Sequence, residues 1–117
     1  MIKLVRKLKN NRATINMFGT QTRVDFNAEI LGNKKHSYIS LRMRCEDEHK
    51  GSRVTTDPLD HGIKLDPAKR EMLVKGFSEN EGVPAMLLKA GIITSCKDID
   101  GRFFVCTLSE NIPVSEF

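Results

Sequence analysis

Within residues 1–45 the chain alternates apolar and polar side chains with a period of two, a pattern that suits a strand with one wet face. Arg23-Val24-Asp25-Phe26-Asn27-Ala28-Glu29-Ile30 is the cleanest run, and Tyr38-Ile39-Ser40-Leu41-Arg42-Met43-Arg44-Cys45 follows it. The period sends Val24, Phe26, Ala28, Ile30, Ile39, Leu41, Met43 and Cys45 inward. The opposite face then collects Arg23, Asp25, Asn27, Glu29, Tyr38, Ser40, Arg42 and Arg44. Two further strands, Ile2–Leu8 and Ala13–Phe18, flank Lys9-Asn10-Asn11-Arg12, where Asn suits the positive φ of a tight turn. Gly19-Thr20-Gln21-Thr22 and Gly32-Asn33-Lys34-Lys35 supply the remaining connections. The expectation is a four-stranded antiparallel meander over residues 2–45.

The alternation stops at Glu46. Residues 46–65 form a charged, aperiodic stretch with Pro58 and Gly62, long for a loop in a compact domain. A short strand around Ser52–Thr56 is one reading of its middle; a mobile functional loop is the other. Asp66 as N-cap and Pro67 at the first helical position then predict a short helix with Met72, Leu73 and Val74 as its buried stripe and Gly76 as its stop. A second helix starts between Asn80 and Val83, because Pro84 is tolerated only in a first turn, and runs through Met86, Leu87 and Leu88 to Gly91. Ile92–Cys96 and Phe103–Leu108 flank Asp98-Ile99-Asp100-Gly101, a strong hairpin signal. The tail from Ser109 contains Pro113 and is expected to be loose, with Ile112, Val114 and Phe117 as the residues able to dock. The fold class read from this order is α+β, one domain over residues 1–117: an N-terminal meander, two short helices and a C-terminal β-hairpin.

A chain of 117 residues can bury a core without staples. With no Trp, one Tyr and six Phe, that core must be mostly aliphatic. No run approaches the roughly 18 apolar residues of a membrane span, and the charged start, Met1 to Lys9, has no signal-peptide core. Three cysteines argue against a disulfide framework and for the cytoplasm.

The net charge of +4 is unevenly placed. Residues 1–56 hold twelve Lys or Arg against five Asp or Glu, and residues 57–117 hold seven against ten. Such a basic half attracts polyanions or an acidic protein surface; lysines guarding an edge strand are the plainer explanation.

Motifs that would carry catalysis are absent: there is no phosphate loop, dinucleotide fingerprint, nucleophile elbow or zinc-protease helix. Cys45 and His49 are spaced as a ligand pair, with His61, Asp57 and Asp60 beyond, but a second close pair is missing and Cys45 faces inward. No metal or cofactor is therefore expected. Cys96 and Cys106 lie on neighbouring strands and read as small core hydrophobes, a regulatory disulfide being the sharper alternative. Asp57-Pro58-Leu59-Asp60-His61-Gly62 reads as turn chemistry rather than acid–base machinery. Residues 66–108 have the helix, turn, helix, hairpin order of the second half of a winged helix, but the second helix carries four apolar residues and one lysine, unlike a recognition helix.

The reading is a non-enzymatic binding protein, an inhibitor, adaptor or regulator of the size found in phage and plasmid genes. It would cover a macromolecular partner that is acidic or itself handles nucleic acid. Arg12, Arg23, Tyr38, Arg42 and Arg44 are the expected contacts, with Lys3, Lys7 and Lys9 attracting at long range. The alternative is direct, sequence-independent binding of DNA or RNA, for which Tyr38 is the single stacking aromatic.

Overall fold

The computed structural model describes residues 2–32, 35–46 and 51–115. The meander is present as β1 (Ile2–Lys7), β2 (Arg12–Met17), β3 (Thr20–Gly32) and β4 (Ser37–Cys45), paired antiparallel in that order. Ala13, Ile15, Val24, Phe26, Ala28, Ile39, Leu41 and Met43 are buried on one face, as the alternation requires, but Ser40, expected on the wet face, is also fully buried, where its hydroxyl accepts from that of Thr55. The second connection is tighter than expected. Met17 pairs with Thr20, so Phe18 and Gly19 alone make the turn, both with positive φ.

Part of the 46–65 stretch is strand, as one reading held. β5 (Ser52–Arg53) pairs with β4, and β6 (Thr55–Thr56) pairs with β7 (Glu71–Lys75) of a second sheet. Val54 is the joint between the sheets: its N–H donates to Leu41 and its carbonyl accepts from Lys75. Asp47 to Lys50 lie outside the described residues. Pro58–His61 is one 3₁₀ turn, capped by the Asp57 carboxylate on the Leu59 N–H and closed by left-handed Gly62. That is turn chemistry.

The first expected helix is corrected. Pro67–Lys69 makes a 3₁₀ turn, Arg70 enters the left-handed region (φ 59), and residues 71–75 become β7. Met72, Leu73 and Val74 are all buried because β7 is an inner strand, flanked by β6 and by β9 (Phe103–Leu108). A continuous apolar run fits an inner strand as well as a helix stripe, and a strand buried on both faces uses all three side chains. Gly76 stops no helix; a Cβ there would collide with the Phe104 ring. Only α1 (Val83–Lys89) is an α-helix among the described residues, with Pro84 in its first turn and Val83, Met86 and Leu87 buried. The winged-helix order therefore lapses.

The closing hairpin is β8 (Ile93–Asp98) and β9 (Phe103–Leu108), and it completes the second sheet in the order β6-β7-β9-β8. α1 packs against β1 of the first sheet and against β8 and β7 of the second, while β4 of the first sheet meets β6 and β7 directly. One core runs through both sheets and the helix. The tail is not loose: Ile112 is buried, and β10 (Val114–Ser115) pairs parallel with Ala28 and Glu29 of β3. Arg70 anchors it, donating to the carbonyls of Leu108, Ser109 and Ile112. Phe117 lies outside the described residues. No helix among the described residues is long and apolar enough to cross a membrane.

Candidate binding face

The outward side of β1 to β5 carries most of the expected contacts, and the strand register arranges them in rows. Arg12 on β2 pairs with Asp25 on β3, which pairs with Arg44 on β4. The next row is Arg6, Thr14 and Arg23, with Glu46 donating its N–H to the Arg23 carbonyl. On the other side of Asp25 lie Asn27, Arg42 and Arg53. Rows on one face of a sheet are about 7 Å apart, so the basic side chains form a patch.

The first two rows surround a hollow of about 230 Å³ lined by Leu8, Arg12, Arg23, Val24, Asp25, Arg44 and Glu46. Asn11 sets this end of the sheet. Its carbonyl accepts from the Phe26 N–H while its side-chain amide donates to the Phe26 carbonyl, which extends the β2–β3 pairing. Asn10, in the left-handed region, makes the preceding turn as expected.

The arginines are not all available to a ligand. Arg44 donates to both oxygens of Asp25, at 2.7 and 3.3 Å. Arg42 lies 3.6 Å from Glu29 and donates to the Gly51 carbonyl. Arg23 sits 4.0 Å from Glu46, both well exposed. The sequence lined up the arginines; the hairpin register lined up carboxylates against them. Lys3, Arg6 and Arg12 have no ion pair among the described residues, and they make the basic edge of a mixed-charge face.

Lys7 is not on this face. A β-bulge between Leu4 and Arg6 shifts the pairing, so that Leu4 opposes Ile15, Arg6 opposes Thr14 and Lys7 opposes Ala13. One extra residue exchanges the two sides of a strand. Arg6 therefore joins the outer patch, and Lys7 turns to the side of α1, where its Nζ lies against Gly91 at the helix end. Lys9 projects from the β1–β2 turn. Tyr38 is outward but half-buried, six residues along β4 from Arg44, about 20 Å away, and packs against the His36 ring. Tyr38 and the arginine hollow are separate places.

Two features escaped the sequence reading. Phe18 is 63% exposed at the tip of the β2–β3 hairpin with φ 53, a conformation that favours Asn or Gly. The signal was its place directly before Gly19. On the second sheet, Phe103 meets Phe77 edge-on and His61 at 4.2 Å, and Arg102 lies 4.4 Å over Phe77. Those rings and cations cover one another, and Asp100, held below the usual carboxylate range by the Phe103 and Arg102 N–H groups, sits beside them. This cluster clasps the turn after β7 to β9.

Of the considered metal ligands, His49 lies outside the described residues, Asp57 bonds to His36 at 2.8 Å, and His61 packs on Phe103. Among the described residues no three His, Cys, Asp or Glu side chains group as a metal site. Comparisons with protein-family models, with curated proteins and with solved structures gave no match.

Proposed function

We propose that this domain is a non-enzymatic binding module that covers an acidic patch on a protein partner with the outward face of β1 to β5, acting as an inhibitor, adaptor or regulator. The observation that carries this reading is the hollow between Arg12, Arg23 and Arg44, where cations and carboxylates alternate in register. Asp25, Glu29 and Glu46 would repel a phosphate backbone, whereas a protein surface can answer both signs. Guanidinium groups held by neighbouring carboxylates also lose less freedom on docking. The partner that fits is an acidic protein, including one that handles nucleic acid. The odd number of cysteines supports a cytoplasmic setting.

A second reading, direct binding of single-stranded nucleic acid, draws on Lys3, Arg6 and Arg12, which have no ion pair among the described residues, and on exposed Phe18. Affinity capture from the native source separates the two. With nuclease present, wild type should retain a protein that R42Q/R44Q loses; Gln removes both positive charges without setting a carboxylate against Asp25 or Glu29, and far-UV circular dichroism checks that the variant is folded. Retention of nucleic acid alone, abolished by nuclease, would replace the first reading by the second. A gel shift with oligo-dT that weakens steeply with log salt would do the same.

A further inference from the structure

We propose that Cys96 and Cys106 form an oxidation site, a dithiol that a low-molecular-weight disulfide of the glutathione class converts into a cross-strand disulfide tying β8 to β9. The two residues are directly opposed in the β8–β9 register, and their sulfurs are 3.5 Å apart. Directly opposed residues of an antiparallel pair have Cα atoms about 4.5–5.5 Å apart, inside the range a disulfide spans. Closing the sulfurs to a bond of about 2.05 Å is a movement of side chains, with the strands already in place. Cys45 sits on β4, in the other sheet.

The two thiols differ in access, which orders the steps. Cys96 is half-exposed and Cys106 buried, and burial, then the neighbouring Cys96, pushes the Cys106 thiol well up. Cys96 is thus the entry point. Its thiolate attacks one sulfur of oxidised glutathione, forming a mixed disulfide and releasing one glutathione thiolate. Cys106 loses its proton to water and attacks the Cys96 sulfur, releasing the second glutathione. Two protein thiols are oxidised, one glutathione disulfide is reduced, and two glutathione thiols leave. In a reducing compartment the bond is transient. β8 is an edge of its sheet, bonded on one side to β9, so the link adds a covalent tie to a strand paired on one side.

The test uses the full chain, reduced and then incubated with oxidised glutathione, acid-quenched, alkylated and weighed intact. The expected product carries one alkyl group, on Cys45, has lost two hydrogens, and reverts with dithiothreitol. Amides of β8 should exchange more slowly in that product. Cys106→Ala should stop at a stable glutathione adduct on Cys96, and Cys96→Ser should leave Cys106 reduced. Three alkylated thiols in treated wild type would overturn the proposal. So would a lasting glutathione adduct on Cys96 or Cys106, or a disulfide that includes Cys45. The wild-type result stands whether or not either variant folds, and it is independent of the binding face.

Discussion

Asp25 on β3 receives two hydrogen bonds from Arg44 on β4, at 2.7 and 3.3 Å, while its neighbour on β2 is Arg12. One carboxylate therefore lies between two arginine positions in the row that lines the hollow, and it is bonded to one of them. Asp25→Asn removes its charge and keeps its shape. Affinity for an acidic polypeptide such as poly-L-glutamate should rise several-fold at low salt, and the gain should vanish near 1 M salt, where screening acts within about 3 Å. Binding titrations at two salt concentrations measure this. A loss of affinity would mean that the carboxylate's task is to position the arginines.

Phe18 occupies the left-handed region with its ring in solvent. Asn adopts that conformation readily, and little packing is lost with the ring. Phe18→Asn should stabilise the fold by about 1 kcal/mol, read by denaturant unfolding. If Phe18 also anchors the partner, the same variant should bind more weakly while being more stable. A destabilised variant would contradict the exposure seen here.

Arg70 ties the tail to the body through three carbonyls. A charged donor's bonds of this kind are worth about 1.5–3 kcal/mol each, and their removal is partly offset by water because Arg70 is half-exposed. Arg70→Ala should cost about 2–3 kcal/mol in unfolding and release β10 from β3. Faster hydrogen exchange at Val114 and Ser115 would report the release.

Asp57 links two segments through its 2.8 Å bond to His36. Burial alone would raise this carboxyl, but the hydrogen bonds from His36 and the Leu59 N–H, with the nearby charges of His36 and Arg53, outweigh burial and hold it below the ordinary carboxylate value. A depressed folded value stabilises at pH above the unfolded value, about 3.9, and the contribution disappears as pH falls through the folded one. Melting temperature recorded from pH 6 downward should fall more steeply below pH 4 for wild type than for Asp57→Asn.

The meander was legible because its inner face is dry: a slip of one residue would bury Arg42 and Arg44, so alternation alone fixes the sides of β3 and β4. The bulge that exchanges Arg6 and Lys7 leaves no such mark, since Val5, Arg6 and Lys7 all tolerate solvent. Met72, Leu73 and Val74 offered no period to read, and what makes them a strand is the pair of strands beside them. The tail could not be placed without Arg70, which is 42 residues from the Ile112 carbonyl it holds. For the candidate face, the arginines were visible and their carboxylate partners were not, because cross-strand pairing depends on the length of each turn. Cys96 facing Cys106 was within reach of the hairpin signal; the 3.5 Å sulfur separation was not.

The claim that matters most is that the arginine-bearing side of the amino-terminal sheet is where this domain meets an acidic protein. Residue-by-residue NMR titration of the labelled protein with poly-L-glutamate, with an arginine side-chain spectrum in parallel, addresses it most directly. Perturbations should centre on Arg12, Arg23 and Arg44 and leave the β7-β9-β8 sheet unmoved. Perturbations confined to that second sheet, or none at low salt, would contradict the account.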